Sequence, residues 1–329
     1  MNMYEVIAAF PTQLREAVEI GKSALITKSP FPIRHVLVTG LGGSGMGANV
    51  VMDLLGSTLR VPMAVNKDYY LPGYVNKNTL LIASSYSGNT EETVMALQQG
   101  IGSGAKIVCV TSGGKMAKIA NNHGLDLVLL PAGRPPRGCL GYSMVQQMFI
   151  LHKLGLMGKT LLSDIEKAAE LLEKEMDGIQ ALAQKYANKW HQKLPILYAP
   201  EGYGSVGIRW RQQINENSKM LCWHHVIPEM NHNELVGWRN NCPDVAVVWL
   251  RNRDDFQRTS VRMDINKEIV EHFTASSIEV WSKGKTAVEK AFYLVHLGDW
   301  MSLYLAELRN VDPVEIKVID YLKGELAKV

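Results

Sequence analysis

Apolar residues in this chain collect in short runs that alternate with longer stretches of helical spacing. HVLVTG (35–40), MAVNKDY (63–69), LLIA (80–83), AKIVCVTS (105–112) and LDLVLLPA (125–132) read as five strands. Helical segments lie between them: one running through Val50 to Leu55, one over 91–99 and one over 115–122. Most of the strands are continuous Val/Ile/Leu runs, the pattern of a parallel sheet covered on both faces, so the fold class is α/β. Ahead of them, Val6, Ile7, Phe10, Leu14, Val18, Ile20 and Ala24 form an imperfect helical stripe over 4–27, interrupted at Pro11.

The pattern then repeats. PAGRPPRGCLGYS (131–143) is too rich in Pro, Gly and Arg for regular structure. A helix follows over 143–156, then a long charged amphipathic helix over 161–190. LPILYAP (194–200), VAVVWLR (245–251) and SIEVWS (277–282) read as strands of a second half. Helices are expected over 206–220, 263–273, 286–309 and 313–327, and an irregular segment with a helix start over 226–238. HVLVTGLGGSGMGANVVMDLL and PILYAPEGYGSVGIRWRQQIN share the order strand, Gly/Ser-rich turn, helix. The reading is a duplicated α/β unit: a first domain over 1–155, a linking helix over 156–190 and a second domain over 191–329.

Composition narrows the function classes. The 329 residues are 47% hydrophobic and 20% charged with a net charge of +3, and no Lys/Arg run calls for nucleic acid or a membrane surface. The apolar runs fall short of the roughly 18 residues a membrane span requires. Glu5, Glu16 and Glu19 stand where a signal peptide would be basic or apolar, and the four cysteines are far apart with no CxxC pair. A cytoplasmic protein with free thiols and no metal framework is expected.

Candidate chemistry concentrates in two loops. Ser84, Ser85, Tyr86, Ser87 and Thr90 put five hydroxyl groups where a strand meets a helix opened by Glu91 and Glu92. A helix N-terminus offers unpaired N–H groups and partial positive charge, so hydroxyls beside it make a phosphate cradle. Gly40, Gly42 and Gly45 satisfy GxGxxG between a strand and a helix, with Asp68 further on, and so admit a dinucleotide enzyme. Ser44 inside that loop and the serine cluster nearby favour instead one monophosphate held from both sides. Glycines kept only for tight packing are the plain alternative.

GLGGSGMG, SYSGNTEET, PPRGCLGYS, NENSK and PEMNHNELVGW together resemble the bifunctional phosphoglucose/phosphomannose isomerases, built from two sugar-isomerase (SIS) domains. The resemblance implies two flavodoxin-like three-layer αβα sandwiches with mostly parallel sheets. It implies an aldose–ketose isomerase that interconverts glucose 6-phosphate, mannose 6-phosphate and fructose 6-phosphate without metal or organic cofactor. Gly43, Ser44, Ser85, Ser87 and Thr90 would then hold the substrate phosphate, and Arg137 would sit near C1 and C2. Glu216 would be the base. His232 and Lys323 would open the ring, His232 donated across a homodimer interface. Lys317 lies on the same terminal helix, and Val314 stands where the family has a threonine that bears on sugar selectivity.

That chemistry suits these residue types. Isomerisation moves one proton between C1 and C2 through a cis-enediol, which a single carboxylate can take and return. A fixed guanidinium stabilises the enediolate, and a His/Lys pair suits ring opening. On spacing alone Glu216 is an ordinary helix glutamate, Arg137 a loop ion pair, and Glu229 and Glu234 are rival bases. His224, His225 and His232 lack zinc-site spacing. Trp210, Trp223 and Trp238 read as core or subunit interface. A non-catalytic SIS module that senses a phosphosugar would keep the serines but need neither Glu216 nor His232.

Overall fold

Two parallel sheets carry the chain in the computed structural model, which describes residues 2–328. Contacts divide it into two units. One comprises 8–174 with 283–293, and the other 1–7, 175–282 and 294–329.

In the first unit, β1 (His35–Thr39), β2 (Met63–Asn66), β3 (Thr79–Ser84), β4 (Lys106–Thr111) and β5 (Asp126–Leu129) form a sheet of order β2-β1-β3-β4-β5. Every pair is parallel, with Val38 opposite Val65 and Ile82. Strand alternation sends Leu37, Leu81, Ala83, Ile107 and Cys109 to one face. There they meet Leu97 of α4 (Glu91–Ser103) and Met116 and Ala120 of α5 (Gly114–Asn122). The opposite face carries α3 (Gly42–Leu55), α6 (Leu140–Lys153) and α2 (Phe10–Ser23). The result is three layers.

The second unit repeats this order one strand short. Strands β6 (Leu194–Pro200), β7 (Trp223–Ile227), β8 (Val245–Arg251) and β9 (Ser277–Trp281) pair in parallel as β7-β6-β8-β9. Tyr198, Ile227, Val247 and Trp249 pack with Met263 and Val270 of α10 (Gln257–Glu271). The helix α9 (Gly204–Ser218) is locked to the later part of α11 (Ala287–Leu308). Arg209 and Asp299 form a buried two-point ion pair at 2.9 and 2.8 Å, and Trp210 Nε1 donates to Leu294 O at 2.7 Å.

The N-terminal stripe is two helices, α1 (Met3–Ala8) and α2, divided beside the interruption at Pro11, which stands at a position where proline costs no hydrogen bond. Three expectations change. The single helix over 161–190 is also two, α7 (Thr160–Lys174) and α8 (Met176–Trp190), and the division between units falls between them. Their apolar residues bury in different units, a demand that no breaker residue in the sequence announces. Residues 223–227, the last two of which begin the segment expected to be irregular, form the edge strand β7. The helix expected from 313 begins at Lys317, as α12 (Lys317–Leu326). Among the described residues no helix is long and apolar enough to cross a membrane. Cys109, Cys139 and Cys222 are buried and Cys242 half-buried, all as free thiols.

Candidate active site

The order β2-β1-β3 makes the gap between the carboxyl ends of β1 and β3 the point where successive connections leave in opposite directions. Open α/β sheets bind ligands there. The glycine loop follows β1 and the serine loop follows β3, and β1 and β3 are hydrogen-bonded neighbours. The two sequence motifs therefore meet.

Their contact is close. A side chain at Gly40 would put its Cβ 2.6 Å from Ser84 O, and one at Gly45 would meet Gly40 O at 2.2 Å. Ser44, in the first turn of α3, accepts the Tyr86 N–H at 3.1 Å, so one loop's serine holds the other loop's backbone. Ser85 Oγ accepts Gly88 N–H at 3.1 Å and lies 2.8 Å from Thr90 Oγ1. Ser87, exposed at the rim, accepts Asn89 N–H at 3.3 Å. Gly88 has φ +67, and a Cβ there would stand 1.8 Å from Gly113 O, so only glycine makes this turn.

Two of the five hydroxyls stand apart from this contact. Ser84 is buried within β3. Tyr86 is a strut: it donates to Pro131 O at 2.7 Å and accepts Arg134 N–H at 3.2 Å, tying the serine loop to the PAGRPPRG segment. Burial pushes the Tyr86 hydroxyl up to about 12, which keeps it a donor at neutral pH. That segment turns over 136–138 and buries Arg137 to 5% exposure. The turn lies on the start of α3, where a Cβ at Gly43 would come 3.0 Å from Pro136 O and 3.7 Å from Arg137 Cα. Ser44, Ser85, Ser87, Thr90, Gly43 and the Arg137 turn thus share one corner of the first unit.

Supports that sequence reasoning missed lie far away in the chain. Gln13 accepts from Gly141 N–H and donates to Gly138 O, both at 2.8 Å, fixing the far side of the Arg137 turn. Ser143 donates to Gly43 O at 3.3 Å, and Ser112 donates to Tyr86 O at 2.6 Å. Separations of about 100 residues or more for Gln13 and Ser143 leave no local signal.

Glu216, His232 and Lys323 belong to the second unit, on three separate elements. Glu216 is half-buried in the last turn of α9. His232 is exposed and ends a short 3-10 turn, Glu229–His232. Lys323 and Lys317 lie on α12, all of whose residues are exposed. The rival carboxylates have local duties. Glu229 accepts from Asn233 Nδ2 at 2.8 Å, and Asn233 in turn caps the turn that begins at Glu234. Glu234 accepts from the Tyr198 hydroxyl and, at 3.4 Å, from Trp223 Nε1. Trp210 and Trp238 are buried, whereas Trp223 is 40% exposed on β7. Among the described residues no cluster of His, Cys, Asp or Glu could hold a metal ion.

Comparison with known proteins bears on the fold and the family. The whole chain is similar in fold to the C-terminal domain of glucosamine-fructose-6-phosphate aminotransferase from Francisella tularensis, with TM-score 0.76 at 12% identity, covering 95% of this chain and 98% of that one. Residues 31–154 match the SIS domain family, and residues 179–326 match the bacterial phospho-glucose isomerase C-terminal SIS domain. This is a double-SIS protein. The bifunctional phosphoglucose/phosphomannose isomerase of Caldicellulosiruptor bescii is 38% identical over 99% of both chains, and that of Aquifex aeolicus 36% identical over 99% of both. The chain belongs to the bifunctional phosphoglucose/phosphomannose isomerase family.

Proposed function

We propose that the protein is an aldose–ketose isomerase that interconverts fructose 6-phosphate with glucose 6-phosphate and mannose 6-phosphate in the cytoplasm. The observation that carries this is the corner between β1 and β3, where neutral donors of two loops and the buried Arg137 turn converge. The hydroxyls of Ser44, Ser85, Ser87 and Thr90, with the backbone beside Gly43 at the start of α3, hold the phosphate dianion. Helix N-termini favour such a charge without lysine or arginine.

The anchored sugar then presents C1 and C2 to the reacting groups. Glu216 takes the proton from one carbon and returns it to the other on the same face of the enediol. Arg137 stabilises the negative oxygen of the enediolate, and its guanidinium stays charged at any physiological pH. His232 and Lys323 move the protons that open the pyranose ring, with His232 reaching the site of the other subunit in a homodimer. The two sugars differ only in configuration at C2 and share one enediol, so one base serves both when the intermediate turns about C2–C3 and offers it the other face of C2. No step requires hydride transfer or a cofactor.

Incubating the protein with fructose 6-phosphate and no added cofactor tests the reading. Separate assays follow glucose 6-phosphate and mannose 6-phosphate, and both are expected to form. Tight phosphosugar binding with neither product would establish a sensor instead.

A further inference from the structure

Lysine is a costly residue at position 219. Its backbone is left-handed, with φ 54 and ψ 39, at the C-cap of α9. Glycine adopts this conformation freely and is the usual occupant of such a cap, whereas a lysine Cβ is crowded there. The one other non-glycine residue with positive φ among the described residues is Asn310, a type that tolerates it.

The side chain accounts for what the backbone does not. Lys219 Nζ donates to Glu216 O at 2.5 Å, the carbonyl of the residue proposed as the base. The rest of that helix end is held by other groups. Lys219 N–H donates to Ile214 O, Arg309 Nε to Ser218 O at 3.1 Å, and Asn215 Nδ2 to Met220 O at 2.7 Å. Asn217 Nδ2 donates to Ser302 Oγ at 2.9 Å, and Ser218 Oγ to Ser302 O at 2.6 Å. Glycine at 219 would keep the Ile214 bond and lose the ammonium on Glu216.

The geometry points to Lys219 as a positioning residue for Glu216: its ammonium fixes the turn that aims the carboxylate and places a positive charge on that turn. The inference rests on the isomerase reading with Glu216 as base. It needs no direct contact of Lys219 with the sugar.

Steady-state kinetics with fructose 6-phosphate, with thermal unfolding in parallel, test it. Lys219→Gly is expected to keep or raise Tm because the left-handed backbone suits glycine. Its kcat is expected to fall at least about ten-fold with KM nearly unchanged, as a misaimed base costs turnover and not binding. Lys219→Asn, another type that tolerates this backbone, is expected to behave alike, and Lys219→Arg to recover part of kcat. Wild-type kcat in Lys219→Gly, with Glu216→Gln inactive, overturns the role of Lys219 and leaves the isomerase reading standing. Full activity in Glu216→Gln overturns Glu216 as the base and with it the role of Lys219, while absence of both products in the wild type overturns the isomerase reading.

Discussion

The two sheets share one strand order, yet their central corners are finished in opposite ways. At the end of β3 come Ser85, Ser87 and Thr90, neutral donors that face a glycine loop. At the end of β8 comes Arg251, 2% exposed, bonded by Nη1 to Asp264 at 2.8 Å and Glu279 at 2.7 Å. Its Nη2 donates to Ser260 at 3.0 Å, and the guanidinium lies 4.8 Å over the Trp281 ring. Both terminal nitrogens of this charge are taken by its own unit, and its Nε is buried without a hydrogen-bond partner among the described residues, so it has little to offer a ligand. Topology supplies a place for a site, and the side chains decide whether one is built there. On the proposed function the first corner is the anchor and the second is structure.

The largest expected effect separates anchoring from chemistry. Glu216→Gln, in the unit without a serine cluster, is expected to lower kcat about 10²–10⁴-fold with KM little changed. Steady-state kinetics check it, and a change confined to KM would move the base elsewhere. Ser85→Ala with Thr90→Ala is expected to do the reverse. Two donors to a dianion, each contributing about 1.5–3 kcal/mol, make a rise in KM of about 10²-fold or more.

Stability divides along the same line. Gly88→Ala must move the Gly113 carbonyl and adopt positive φ, so denaturant unfolding is expected to show a loss of about 3 kcal/mol together with weakened phosphosugar binding. Arg251→Met is expected to cost about 2 kcal/mol and leave phosphosugar affinity unchanged. That is less than the loss typical of a fully buried pair, because Asp264 is 63% exposed.

A pH dependence confined to the second unit is also expected. His296 is fully buried and accepts from Trp300 Nε1 at 3.1 Å, and burial lowers its proton affinity to a pKa of about 3 from the usual 6.5. Between these values the unfolded chain binds a proton that the folded one refuses, so stability falls as pH drops from 6.5 towards 3. The limiting slope is about 1.4 kcal/mol per pH unit. Unfolding of wild type and His296→Phe across that range checks it, and the variant is expected to have lost this part of the slope.

Legibility followed the range of the forces. Continuous apolar strands, the glycine loop and the serine cluster are local patterns, and they pointed to both sheets and to the two loops that meet beyond β1 and β3. β7 was missed because WHHVI, an edge strand with one exposed side, lacks the apolar run of its neighbours. The break at Glu175 was missed because a stripe of residues repeating every seven positions, Ile165, Leu172, Ile179 and Tyr186, continues across it while its halves bury in different units. Gln13 and Ser143 gave no signal because their partners near the anchor are distant in sequence. Lys219 gave none because its left-handed backbone is a property of the folded helix end.

The central contrast between the corners is open to one direct measurement. Amide chemical shifts of the full-length protein, recorded during titration with fructose 6-phosphate, report each corner separately. Large shifts at Gly43, Ser44 and Ser85 to Thr90, with Arg251, Asn252 and Gly202 to Ser205 unmoved, are the predicted result. Saturable shifts at the β6/β8 corner with the serine loop silent would contradict it.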